Sequence, residues 1–150
     1  MISLQQILIP TDLSEPSLAA TRYALEFARR FQARLHLLYV IHEPPYYAPL
    51  GGYMPSRDEW SAFADTALQN WISEEDIGHL EVVREKVVGH PATSILEYAQ
   101  QHNIDLIVMG THGRTALAHL VLGSVAENVV RQSRCPVLTI RPDQHNFVMP

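Results

Sequence analysis

Residues Gly110 to Leu138 read GTHGRTALAHLVLGSVAENVVRQSRCPVL. Two glycines, Gly110 and Gly113, follow the mostly apolar run Ile104 to Met109 (IDLIVM). After nine intervening residues comes Gly123-Ser124, where a helical pattern begins: Val125, Ala126, Val129 and Val130 recur at helical spacing as far as Ser133. Pro136 to Ile140 (PVLTI) then reads as a strand. A strand, a glycine-bearing loop and a helix N-terminus are the parts of a phosphate cradle. The spacing G-x2-G-x9-G-S is neither a Walker loop nor a dinucleotide fingerprint. Glycine allows positive φ and close backbone approach, and a helix start adds unpaired N–H groups and a positive dipole end. The set suits a triphosphate chain. His112 and Arg114 stand within it, either touching phosphate or simply solvated.

Working outward, the chain alternates strand and helix. Gln6 to Pro10 (QILIP) is a short apolar run of the kind that parallel sheets bury on both faces. Thr11-Asp12-Leu13-Ser14 breaks it, and Ser14 is placed to cap a helix that starts with Glu15-Pro16. Ala20, Tyr23, Ala24, Phe27, Ala28 and Phe31 mark the buried face of that helix. Ala33 to Ile41 (ARLHLLYVI) is a second strand, with His36 read as a solvated or hydrogen-bonded strand-end residue. His42 to Arg57 is a loop rich in proline and tyrosine, either a connector or a cover for a ligand or partner. Trp60, Phe63, Ala64, Ala67, Leu68, Trp71 and Ile72 form a helical stripe, whose tryptophans are expected in the core. Gly78 closes that helix, and Glu74, Glu75 and Asp76 near its end oppose the dipole. Leu80 to Val88 is a third strand, partly alternating and so near an edge. Pro91 starts a helix buried through Ala92, Ile95, Leu96 and Ala99, and Asn103 ends it in a left-handed conformation. The order β-α-β-α-β-α-β-α-β predicts an α/β fold, a parallel sheet with helices on both faces.

The 150 residues suit one domain, expected over 1–142 with a tail at 143–150. A formal charge of -5 and scattered Lys and Arg argue against nucleic acid. No apolar stretch approaches the roughly 20 residues needed to span a bilayer. The N-terminus does not read as a signal peptide, so a cytoplasmic location is expected. The single Cys135 excludes an internal disulfide and reads as a small hydrophobe.

Ligands of open α/β sheets lie beyond the carboxyl ends of the strands, where strand order reverses. If the first and fourth strands are neighbours, Asp12 and the glycine loop border one crevice. Asp12 then has competing roles: a magnesium ion bridging phosphates, a hydrogen bond to nucleotide, or an Asx bond that stabilises its own turn. Two roles also compete for Ser124. With Glu127 at N3 it makes a capping-box pattern, yet its position also meets phosphate. No HExxH, GxSxG or cysteine cluster is present, and no general base is visible.

Three segments, QILIPTDLS, VVGHPATSILEYAQ and IDLIVMGTHGRTALAHLVLGSVAENVVRQSRCPVLTIRP, together resemble the universal stress protein family over nearly the full length. The last segment is the specific one, and it carries the G-x2-G-x9-G-[S/T] pattern of the family's ATP-binding branch. The resemblance implies an open five-stranded parallel sheet of order 3-2-1-4-5, Rossmann-like and similar to adenine nucleotide alpha hydrolases. It implies that Pro10, Thr11, Asp12 and Val40 lie near the adenosine part. Gly110, Thr111, His112, Gly113, Arg114 and Thr115, with Gly123, Ser124 and Val125, would line the phosphates. It also implies a homodimer through the last strand, 137–140. The expected function is that of an ATP-binding regulatory protein of the stress response. The alternatives are a slow ATPase or autophosphorylating protein using Ser124 or Thr115, and a nucleotide-free dimeric interaction module. A fuller enzyme of the alpha hydrolase type would need an additional substrate domain.

Overall fold

The computed structural model describes residues 1–42, 55–111 and 122–141. In chain order the elements are β1 (Gln6–Thr11), α1 (Glu15–Phe31), β2 (Arg34–Ile41), α2 (Arg57–Trp71), α3 (Glu74–Ile77), β3 (Val82–Val88), α4 (Pro91–Gln101), β4 (Leu106–Gly110), α5 (Ser124–Gln132) and β5 (Val137–Ile140). The strands form one five-stranded sheet in the order β3-β2-β1-β4-β5. Every neighbouring pair is parallel.

Strand alternation divides the core in two. Ile7, Ile9, Leu35, Leu37 and Val108 pack on one side against Ala20, Ala24 and Ala28 of α1 and Ala64 and Leu68 of α2. Leu8, Leu38, Ile107 and Met109 pack on the other against Ala92, Ile95 and Ala99 of α4 and Ala126 and Val129 of α5. Alanines at the α1 contact let the helix axis approach the sheet closely, which small side chains permit and large ones prevent.

Pro10 sets where the sheet opens. Arg34 N–H donates to the Gln5 carbonyl and Asp105 N–H to the Gln6 carbonyl. Odd-numbered residues of β1 therefore face β2, and even-numbered ones face β4. Pro10 faces β4 but has no N–H to give. Pairing with β2 runs from Gln6 to Thr11, whereas pairing with β4 stops at Leu8↔Ile107. Beyond that point β1 and β4 are free to separate.

Three sequence expectations change. The tryptophan stripe is a core face only in part: Ala64, Leu68 and Ile72 are buried in the core and Trp71 packs against it, whereas Phe63 is 51% exposed. Over β2 and β3 at the rim of the sheet, α2 has room to bury only a narrow face. Trp71 is half-buried and donates its Nε1–H to Thr21 Oγ1 at 3.0 Å. The helix also stops at Trp71. Ser73 accepts the Asp76 N–H at 3.1 Å and starts α3, so Glu74, Glu75 and Asp76 occupy a first turn rather than a last one. Acidic groups are favourable there, which removes the expected conflict with the dipole. Ser14 occupies the N-cap position of α1 without making a side-chain capping bond; its hydroxyl goes to Asp12 instead. Asn103 adopts the expected left-handed conformation, φ 50°.

Gln32 ends α1 at φ 54° and is exposed. A left-handed conformation costs a side chain about 1–2 kcal/mol, and glycine gives back about 0.5–1 kcal/mol in the unfolded chain. Gln32→Gly should therefore raise unfolding free energy by roughly 0.5 kcal/mol in urea titrations. A loss of stability would show that the Gln32 side chain contributes contacts that outweigh the strain.

Candidate functional site

A crevice of about 180 Å3 opens where β1 and β4 part. Pro10, Thr11 and Asp12 come from the end of β1 and the turn after it, Met109, Gly110 and Thr111 from the end of β4. Val40 of β2, Ser17 of α1, and Pro91 and Ile95 of α4 add walls, and Gly123 to Ala126 close it with the first turn of α5. One part is apolar (Val40, Pro91, Ile95, Met109), another is hydroxyl-rich (Thr11, Ser17, Thr111, Ser124).

The β1–α1 turn is held by a hydrogen-bond relay whose direction can be assigned. Ser17 Oγ donates to the Ser14 carbonyl at 2.7 Å. With its one proton engaged, it accepts from Thr11 Oγ1 at 3.0 Å. Thr11 Oγ1 in turn accepts the Leu13 N–H at 3.0 Å. Thr11 and Ser17 are both buried. Asp12 Oδ1 accepts the Ser14 N–H at 3.0 Å and the Ser14 hydroxyl. The Asx bond anticipated for Asp12 is therefore formed. These contacts hold Leu13 at φ 61°, a conformation that disfavours ordinary side chains. Strain of this kind persists where surrounding bonds over-determine it, and it gathers at functional sites.

The helix start differs from the capping-box expectation. Gly123, not Ser124, is the N-cap of α5, and no side chain caps it. Ser124 is the first helical residue, so Glu127 does not stand at N3 of a serine cap. Glu127 pairs instead with Arg131 at 2.6 Å on the exposed face. Ser124 is thus not the cap of the helix, and it lines the crevice. Gly123 N–H donates to the Thr111 carbonyl at 2.6 Å, and Thr111 N–H to the Ile140 carbonyl at 3.0 Å. The end of β4 is thereby tied on one side to α5 and on the other to β5.

Of the residues expected to line the site, Pro10, Thr11, Asp12, Val40, Gly110, Thr111, Gly123, Ser124 and Val125 all meet in this crevice. His112, Gly113, Arg114 and Thr115 lie outside the described residues. Sequence reasoning missed Ser17, Pro91, Ile95, Met109 and Ala126. Pro91 and Ile95 are one turn apart on a helix face that the sequence marked as buried, without saying that part of it faces a cavity. Among the described residues, no group of three or more His, Cys, Asp or Glu side chains is arranged to hold a metal ion. A larger groove, about 480 Å3, lies between the far ends of α4 and α5 and contains none of the expected residues.

A family-wide sequence profile described as the universal stress protein family matches residues 3–141. The chain belongs to the universal stress protein family. Universal stress protein MJ0531 of Methanocaldococcus jannaschii is 33% identical over 144 residues, covering 91% of this chain and 82% of that protein. The solved structure of MJ0577, from the same organism, superposes with a TM-score of 0.79 at 32% identity, covering 97% of this chain and 99% of that one. A universal stress protein solved in complex with cAMP gives a TM-score of 0.66 at 26% identity, covering 95% and 100%. The five-stranded sheet of order 3-2-1-4-5 is thus the Rossmann-like fold of this family.

Severing the relay should weaken the turn without changing its shape. Thr11→Val leaves the Leu13 N–H without its acceptor and should cost about 1–3 kcal/mol in urea unfolding. The double variant with Ser17→Ala should lose less than the sum of the single losses, because both break one network. Strict additivity would contradict the relay.

Proposed function

We propose that this universal stress protein binds ATP in the crevice between β1 and β4 and acts as a nucleotide-dependent regulator of the stress response. The observation that carries the reading is the meeting of the α5 N-terminus with Asp12 across an opening whose other wall is apolar. The phosphates lie against Gly110, Thr111, Gly123, Ser124 and Val125, joined by His112, Gly113, Arg114 and Thr115. The adenosine lies toward Pro10, Thr11, Asp12 and Val40, where Pro91, Ile95 and Met109 add apolar surface. A helix N-terminus alone contributes about 2 kcal/mol at most to anion binding, whereas micromolar affinity needs about 8 kcal/mol. Most of the affinity must then come from burying the adenosine and from several loop N–H groups together. The relative crystallised with cAMP supports an adenine nucleotide as the class of ligand.

Asp12 suits a magnesium ion, which usually takes one or two carboxylates and completes its shell with phosphate oxygens and water. Bound there, magnesium would neutralise phosphate charge. The edge strand β5 supports a homodimer, since among the described residues one side of Val137–Ile140 has no neighbour in the sheet and an open edge calls for cover. The negative net charge argues against nucleic acid as a partner, and the lone free thiol, Cys135, suits a reducing cytoplasm. Slow phosphoryl transfer is a second reading, favoured by one feature: Ser124, a hydroxyl-bearing residue that is not the N-cap of α5, lines the crevice.

Protein purified without added nucleotide, then denatured, should release ATP on chromatography. Saturating Mg-ATP at a hundredfold excess over Kd should add about 2.7 kcal/mol, a Tm rise of roughly 5–10 °C for a chain of this size. Gly123→Leu should remove that rise while leaving the ligand-free Tm within a few degrees. Conversion of added ATP to ADP would favour the second reading. No released nucleotide and no shift of Tm would leave the nucleotide-free interaction module.

A further inference from the structure

The same face of the sheet that forms the apolar wall of the crevice carries, further back, a cluster of aromatic and ionisable side chains, buried at His36 and Tyr98 and exposed at His102. His36 is 4% exposed and points from β2 toward α4. Its Nε2 is 2.7 Å from Gln6 Oε1, and its Nδ1 is 2.9 Å from the Tyr98 hydroxyl. With the Gln6 oxygen facing it, Nε2 must donate, so Nδ1 accepts the Tyr98 proton. The neutral ring is thereby fully satisfied. His102, just past α4, stacks on the Tyr98 ring at 3.8 Å and lies 5.6 Å from His36, ring centre to ring centre. Its Nδ1 donates to the Tyr98 carbonyl at 3.0 Å.

This arrangement favours the neutral ring over the protonated one. Nδ1 would become a donor, and the Tyr98 hydroxyl would have to turn its own proton away from its partner. The charged groups around the ring are mixed. His102 beyond α4 and Arg34 on β2 disfavour the cation, while Glu81 before β3 favours it. Glu85 on β3 acts on Tyr98, and Asp105 before β4 is engaged by the amides of Gln5 and Gln6. Burial is the largest influence and holds His36 below the usual histidine value. Burial likewise pushes Tyr98 up to about 12, so it stays a neutral hydroxyl.

One helix joins the cluster to the crevice. Tyr98 follows Ile95 by one turn on α4, and Pro91 and Ile95 line the crevice. A nucleotide that uses these two residues requires α4 docked on the sheet, and the bond from Tyr98 to a neutral His36 favours that docking. We propose that the His36–Tyr98–His102 cluster is a proton-sensitive latch on α4 that weakens nucleotide binding as the medium becomes acidic. The inference rests on the nucleotide reading above and adds its regulation. The sign follows from linkage: because the folded-state value lies below about 6.5, His36 contributes its full stability above that pH and loses it as pH falls through the folded value.

Linkage is reciprocal, so a bound nucleotide should depress the His36 titration further. Imidazole NMR of the unmodified protein, with and without saturating Mg-ATP, reads this directly; an identical His36 titration in both states overturns the latch. Calorimetric titration with Mg-ATP at about pH 7.5 and about pH 5.5 should show affinity falling about 5-fold more in the unmodified protein than in His36→Gln. The exposed-site control His79→Gln should keep the full slope, and equal slopes in all three proteins overturn the latch. Absence of binding at both pH values overturns the nucleotide reading itself, and the latch with it. Binding with an unmoved His36 overturns the latch alone.

Discussion

A missing amide proton decides where the sheet of this molecule opens. Pro10 sits in the central strand, a position that proline normally avoids because each residue there owes a bond to a neighbour. Here its defect points at β4, and pairing between the two strands ends one step earlier, at Leu8↔Ile107. On the other side β1 remains paired with β2 to its last residue. The sheet is therefore stitched on one flank of β1 and open on the other, and the opening falls at the strand-order reversal. Every wall of the crevice is placed relative to that gap. β4 diverges into Thr111, α5 starts across from Asp12, and α4 approaches over Val40 and Met109.

Much of this was legible in the sequence because the signals were local. The apolar runs, Pro91 and Asn103 at the ends of α4, and the helical spacing after Gly123 each report on a few adjacent residues. The residues of the first strand's end and of Gly123 to Val125 could be placed together only by strand order, which came from family resemblance; periodicity does not determine which strands are neighbours. What failed depended on geometry between elements. The tryptophan stripe gave the helix but not the width of the surface beneath it, so Trp60 and Trp71 stay half-buried over the outer strands. The serine cap of α5 failed by one residue. An extended Gly123 takes the N-cap itself, and the pattern Ser-x-x-Glu cannot distinguish that register from its neighbour.

The one-residue shift has chemical weight. A serine at the N-cap would direct its hydroxyl inward to the helix amides. A serine at the first helical position is past the point at which it could cap them. The turn after β1 follows the opposite logic: its hydroxyls and carboxylate are bound to one another, through Thr11, Ser17, Ser14 and Asp12. One wall is thus pre-ordered by internal bonds, while the facing wall begins at a helix whose N-cap glycine makes no side-chain bond. Groups ordered in advance lose less entropy when something binds to them than mobile ones do.

The bonds from Gly123 to Thr111 and from Thr111 to Ile140 join α5, β4 and β5 with two amides. Thr111 is the shared member, accepting through its carbonyl and donating through its N–H. A tilt of the edge strand is therefore passed to the floor of the crevice, because the peptide units on either side of Thr111 are bonded to both. The rim of the sheet and the cradle move as parts of one lever, with the peptide unit of Thr111 as its fulcrum.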